Sequence, residues 1–367
     1  MVNYTGIVYE DSADAYGTDQ FKKNKKPTFY LHDDGHSPDL NIQDFDSEDV
    51  RNGLDESRNG YFEPSGDLSL TAHTKSIPTI LYGVIGLYKF TANTGTAESD
   101  GRQLNMHEFW IGDRLERPAF SADFTSGDFL LKRIFGGIFN TMEWDANLNK
   151  TKIDLGMIYK NEAVKKIALE SYRENFSMLK TLPLVGYDYT VQIGDPETDG
   201  LTSTSNCFND FKLTIENNHQ TGDDARCLGS ITYGFKPIME SCNVEMEAVT
   251  KFNRRNYEFI VGAMHNEYNP NETGWNTYAP CKEFTKQVIV KAQSCVDPDE
   301  YVLFKFPKCR VTLDPIGGDS NVLEATLKLK PFNTEQVLMH DGTTRKRTSM
   351  YVRVCTSAGR VDADITE

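Results

Sequence analysis

The sequence predicts a mainly β chain made of two similar halves in tandem, each with one short apolar helix after a long strand. Three observations predict it. Apolar and polar residues alternate through many short segments. One order of such segments recurs at a period near 175 residues. Long helical periodicity is confined to residues 161–180, where Val164, Ile167, Ala168, Tyr172 and Phe176 share one face. The 367 residues suffice for two domains of ordinary size. Aromatics at 11% fit a strand-rich folded chain despite a mean hydropathy of −0.51.

Taken in order, residues 1–38 form an N-terminal arm without an assigned element, and "HDDGH" (32–36) reads as a polar turn. "DLNIQDFD" (39–46) alternates weakly as a strand, and 48–59, with two Asn-Gly pairs, reads as a loop. In "DLSLTAHT" (67–74), Leu68 and Leu70 fall opposite Asp67, Ser69 and Thr71, the period of a half-buried strand. The following run "IPTILYGVIG" suits a short helix, with Pro78 in its first turn, where a missing N–H costs nothing. Strands follow at 129–144 and 151–159, then the helix at 161–180. Further strands are expected in "LVGYDYTVQIG", "FKLTIENN" (211–218), "NVEMEAVT" (243–250), "FTKQVIVKAQ", "YVLFKFPKCRVTL" (301–313), "VLEATLKLKPF" (322–332) and "SMYVRVCTS".

The repeat emerges when 67–74 is laid over 243–250, so that Ala72 meets Ala248 and Thr74 meets Thr250. Upstream, Phe62 and Pro64 meet Phe235 and Pro237. Downstream, each strand enters a small-residue apolar segment, the second being "NYEFIVGAM" (256–264). Residues 129–144 correspond to 301–313 and 151–159 to 322–332, while 39–46 is a weaker counterpart of 211–218. The implied organisation is an N-terminal arm (1–38), a first domain (39–160), a helical linker region (161–204), a second domain (205–332) and a C-terminal extension (333–367).

Charge and motifs narrow the function. The net charge is −15, and residues 1–200 carry 20 Lys+Arg against 32 Asp+Glu. From Asp33 to Asp67 there are 11 acids and only Arg51 and Arg58 as bases, the wrong sign for gripping nucleic acid through phosphates. No apolar stretch approaches 18 residues, and the N-terminus lacks a basic region followed by an apolar core, so neither a membrane span nor a cleaved signal peptide is expected. All seven cysteines lie beyond residue 200 without a CxxC pair, so reduced thiols packed as small hydrophobes are expected, as at Cys242 and Cys309. "DFDSEDVRNGLDE" starts like a calcium loop at Asp44, Asp46 and Glu48. Asp49 replaces the required Gly, however, and Asp55 the bidentate Glu. His32, Asp33, Asp34 and His36 lack further metal ligands nearby, and no nucleophile elbow, Walker or dinucleotide sequence occurs. The sequons at Asn3, Asn149, Asn175 and Asn271 carry no weight without a secretory signal. No enzyme, cofactor or metal site is expected.

Residues 207–264 and 301–318 resemble the tail tube (major tail) proteins of long-tailed bacteriophages. The carriers are a strand ending in a paired-Asn turn (Asn217, Asn218), a glycine- and proline-marked turn, a long alternating strand from Val244 to Thr250 feeding a helix, and a strand with a central proline. Residues 39–159 follow the same order. The resemblance implies two tandem β-sandwich tube-like domains, each with a flanking helix, in a structural virion protein. Such a protein polymerises as stacked rings around a β-lined bore through which DNA passes without specific binding. It further implies trimeric pseudo-hexameric rings, with hexamers as the alternative, assembled in the host cytoplasm without a membrane. Implied neighbours in the tail are the tape measure, terminator and baseplate or tip proteins, with a sheath as a further candidate. Asp44 and Asp46 are expected near the lumen and residues 48–59 at the ring junction. A carbohydrate- or receptor-binding β-sandwich adhesin is the alternative, and a protein that caps the tube a third reading.

Overall fold

The structure is a computed structural model. It describes residues 3–11, 14–27, 30–49, 53–97, 101–113, 116–126, 130–166, 179, 181–194, 208–221, 227–228, 231–251, 285–294, 297–313 and 324–361. The first half supplies β1 (Asn3–Tyr9), β2 (Leu31–His36), β3 (Ile42–Asp49), β4 (Gly53–Phe62), β5 (Ser65–Thr71), α1 (Ile77–Ile85), β6 (Tyr88–Thr96), β7 (Gln103–Trp110), β8 (Phe120–Ser126), β9 (Leu130–Ala146), β10 (Lys152–Ile158) and β11 (Asn161–Lys166). The second half supplies β12 (Tyr189–Gly194), β13 (Phe208–His219), β14 (Met239–Lys251), β15 (Thr285–Gln293), β16 (Tyr301–Leu313), β17 (Glu324–Pro331), β18 (Gln336–Leu338), β19 (Arg345–Arg347) and β20 (Tyr351–Thr356). The protein is mainly β, and every pairing between these strands is antiparallel.

Alternation fixes which face of each strand is dry. Leu68 and Leu70 of β5 are buried, as the sequence predicts. α1 starts with Pro78 in its first turn and stops at Gly86, whose φ of 78° is easy for glycine and whose N–H reaches the Tyr82 carbonyl at 2.9 Å. Ile77, Ile80, Leu81, Val84 and Ile85 are all buried. Small residues break this apolar run because the helix lies hard against β9: a Cβ on Gly83 would stand 2.6 Å from the Phe139 ring.

The pairing order is the same in both halves. In the first it runs β1-β8-β9-β10-β5-β2, and the β1–β2 pairing closes these six strands into a ring. In the second it runs β12-β15-β16-β17-β14-β13. Among the described residues β12 pairs with β15 alone, so this set stays open. Register repeats too. Thr71 opposes Lys152 and Leu70 opposes Ile153; adding 176 to each number gives Glu247 opposite Lys328 and Met246 opposite Leu329, both observed.

Two joints make one continuous sheet of the halves. β13 pairs with the C-terminal part of β9, and β20 pairs with β7. One cluster of buried side chains runs through both halves, with Trp144 meeting Phe304 edge-on at 5.0 Å between ring centres.

Several expectations need correcting. Residues 161–166 are strand β11, not helix; β9 offers them a free edge at Leu130–Phe135, and that pairing overrides their helical pattern. Residues 167–178 lie outside the described residues, while the strand expected within 184–194 is present as β12 (Tyr189–Gly194). The arm 1–38 supplies β1 and β2 of the main sheet, and the extension beyond 332 supplies β20. The structural counterpart of β13 is β2, since Asp33 opposes Leu70 as Leu213 opposes Met246; residues 42–46 of the weaker match belong to β3. β2 contains "HDDGH", which is therefore strand. Asp33 is buried but accepts bonds from Thr5 Oγ1 (2.9 Å) and Gly35 N (2.7 Å), so its side-chain oxygens are satisfied there. Asn217 and Asn218 lie inside β13 rather than in a turn. Residues 53–59, read as loop, are part of β4, which pairs with β3 as a hairpin separate from the main sheet. The second helix, 256–264, lies outside the described residues.

Candidate functional site

The feature that both halves build together is a polar sheet face. Seven strands lie side by side in the order β5-β10-β9-β13-β14-β17-β16. Their dry face reads Leu70, Ile153, Trp144, Leu213, Met246, Leu329 and Val311 in one cross-strand row, all buried. One residue along, the other face carries Thr71, Lys152, Asp145, Lys212, Glu247, Lys328 and Thr312 in register. Cations and anions alternate across five of these strands, the arrangement in which directly opposed pairs attract.

A second polar row holds Ser69, Asp154, Glu143, Thr214 and Glu245, and a third Asp67, Gly156, Thr141, Glu216 and Asn243. Lys212 Nζ meets Glu143 Oε1 at 2.7 Å and Lys330 Nζ meets Glu245 Oε1 at 3.4 Å. The hydrogen bond to Glu143 raises the Lys212 pKa above its ordinary value. Near the end of the same rows, burial and the neighbouring Asp145 carboxyl raise Asp210. Counting Arg310, Lys330 and Asp210, the face carries five bases against eight acids (Asp67, Glu143, Asp145, Asp154, Asp210, Glu216, Glu245 and Glu247). It is wet, mildly acidic and internally paired. That chemistry suits a surface that stays hydrated beside a polyanion without gripping it.

The joint between the halves is locked by buried polar groups. Arg117, 1% exposed, donates to Asn217 Oδ1 at 3.1 Å, and Asn217 Nδ2 donates to the carbonyls of Val84 (2.8 Å) and Phe139 (3.3 Å). Glu300, fully buried, accepts from Thr74 Oγ1, from Ser357 N (3.1 Å) and from Ser357 Oγ (2.9 Å). Glu108, also fully buried, accepts from His340 N at 2.7 Å and from the Tyr351 hydroxyl. Sequence reasoning missed Arg117, Glu108 and Glu300. Each has a partner 100 or more residues away, Asn217 for Arg117, His340 and Tyr351 for Glu108 and Thr74 for Glu300, which no local pattern reveals.

Asp44 and Asp46, expected near a lumen, lie on β3 of the separate hairpin and are not among the strands of the shared face. Cys309 and Cys355 are buried thiols, and Cys242 packs against the core; burial raises all three pKa values, that of Cys355 to about 11. Cys207, Cys281 and Cys295 lie outside the described residues. Among the described residues no group of three or more His, Cys, Asp or Glu is placed to hold a metal ion, and no helix is long and apolar enough to cross a membrane. Compared with known protein families and with curated proteins, the chain matches none.

Proposed function

We propose that this chain is a structural virion protein that polymerises as stacked rings into the tail tube of a long-tailed bacteriophage. The observation that carries the reading is the shared face: two halves with one strand order and one register, fused edge to edge into a single wet-faced sheet. Each half is read as a tube-like β-sandwich domain. The first contributes β2, β5, β10 and β9 to the wall and the second β13, β14, β17 and β16.

A tube wall needs this division of faces. The apolar side meets the subunit's own core, and the polar side meets a water-filled bore, while closure removes exposed sheet edges. Three chains would give twenty-four wall strands. At about 4.8 Å per strand that is a ring roughly 37 Å across between backbones, enough for a hydrated duplex. The excess of acids repels phosphates over roughly 8–10 Å, and the opposed lysines stay engaged with carboxylates, so DNA slides without being held.

The two ends of the strands supply a basis for stacking. At the end where β9 turns into β10, Leu148 (78% exposed) and Tyr187 (76%) stand in water beside Lys150. At the other end Ile231 and Phe235 are exposed beside the base of the β3–β4 hairpin, where Phe62 N donates to the Ile231 carbonyl. Unlike ends give an open head-to-tail series rather than a closed pair. The tape measure, terminator and tip or baseplate proteins would be the other neighbours.

Electron microscopy of the purified protein tests the reading. Long tubes of stacked rings with a central bore and three chains per ring are expected. Discrete particles that bind glycans would instead favour a receptor-binding β-sandwich protein.

A further inference from the structure

The two halves hold the same device in two different states. In the second half the outer edge of β13 lies against β9, through Phe211–Glu216 opposite Ala146–Thr141. In the first half the equivalent edge, on β2, is covered by β1 through Asn3, Tyr4 and Thr5 opposite Asp33, His32 and Leu31. The β1-equivalent of the second half, β12, stays on β15 and leaves β13 to β9. The edge that receives β13 differs between the halves in the same way. Trp144 and Val311 are equivalent, since they oppose Ile153 and Leu329. On β9 this edge is vacated by β8 beyond Gly137 and taken by β13. On β16 the equivalent stretch is covered by the start of β15, where Thr285 opposes Arg310 and Lys286 opposes Cys309.

We propose that β16 of one copy pairs with β2 of the next in the register of the β9–β13 joint, and that two segments of the chain itself cap these edges until assembly. The caps are Asn3–Thr5 of β1 and Thr285–Lys286 of β15. Equivalence sets the register between copies: Asp33 opposite Val311, and Gly35 opposite Arg310 beyond the bulge that β2 carries between Asp33 and Gly35. Each cap covers what the other leaves open. Among the described residues, β1 hides Leu31–Asp33, which match Val311–Leu313 beyond the start of β15, and β15 hides Arg310, which matches Gly35 beyond the start of β1. A second copy therefore cannot seat fully while either cap is in place. An uncapped edge would be a standing invitation to uncontrolled pairing, so self-capping keeps the single chain from polymerising at every encounter. The inference rests on the ring reading for the form of the assembly but not for the contact itself.

Locking one cap tests it. Tyr4→Cys with His32→Cys places two thiols on directly opposed, partly exposed positions of β1 and β2. The oxidised variant should remain unassembled by light scattering and electron microscopy, and reduction should restore assembly. Deleting residues 1–5 should lower the concentration at which assembly begins by roughly ten-fold or more, as two or three cross-strand pairs no longer compete. In the assembled protein, Gly35→Cys with Arg310→Cys should give disulfide-linked chain multiples on a non-reducing gel; a Cβ at Gly35 meets nothing within 4 Å. Assembly of the oxidised lock at the reduced rate would overturn the capping, and absence of the Gly35–Arg310 link in assembled material would overturn the register. Bored tubes formed by the oxidised lock would leave the tube reading standing without this inference. Linked filaments lacking a bore would do the reverse. A wild-type chain that stays monomeric at every concentration, truncated or not, would end both.

Discussion

Asn217 has every polar atom of its side chain engaged at the place where the halves meet, and its loss would take an acceptor from a buried guanidinium. Asn217→Ala should cost about 3 kcal/mol or more, because Arg117 keeps its charge without this partner and two carbonyls lose their donor. Urea unfolding measures it, and a loss under 1 kcal/mol would refute the lock. Glu10 makes a different kind of prediction. Burial pushes its pKa up to about 7, against hydrogen bonds from the Gly17 and Gly136 N–H groups. A raised acid binds its proton more tightly folded than unfolded. Its contribution is therefore complete below the ordinary value of 4.5 and lost as pH rises through 7. Glu10→Gln should gain about 1–2 kcal/mol on wild type between pH 5 and pH 7.5, the full shift being discounted for partial exposure. His73 and His219 run oppositely. Burial pushes both down to about 4, so their contribution is lost as pH falls from 6.5. Equal slopes for wild type and Glu10→Gln over that interval would show that Glu10 titrates normally.

Among the elements, the charge row is the most exposed to a single change. Lys212→Glu would set three carboxylates in line across β9, β13 and β14, with Asp145 on one side and Glu247 on the other. A cost of about 1–2 kcal/mol is expected, shrinking at high salt. A loss that ignores salt would mean that packing rather than charge is responsible. The β3–β4 hairpin behaves as a separate element, so replacing 43–60 by a short turn should leave thermal unfolding within a few degrees of wild type while abolishing longitudinal stacking. Tubes of normal length from that variant would remove the hairpin from the junction. Strands with clean alternation and both neighbours nearby, such as β10 and β16, were legible in the sequence to within a residue, and β5 to within three. β2 was not, because a strand of His, Asp and Gly is stabilised by partners that local pattern cannot reveal: Thr5 and Gly35 on Asp33, and Thr71 on Asp34. β11 was read as helix for the complementary reason: its residues suit a helix, and only the unfilled edge of β9 makes them a strand. The wet face was legible as a face in each half, but its continuity across the β9–β13 joint was not, since no periodicity encodes which distant edge a strand will meet.

For the whole molecule, the joint between the halves would serve as a template for the proposed joints between copies, one repeat then accounting for both. β9 is the strand through which the two halves hold each other. Its 17 residues are flanked on one side by β10 and β11 and on the other by β8 and β13. In mechanical terms this makes it a doubly clamped staple. Tension along its axis must shear hydrogen bonds on both sides together, whereas tension across the sheet opens them one at a time. A polymer whose strands run with the long axis would stretch little and break late, yet its walls could still part sideways, strand from strand, under a load applied around the circumference.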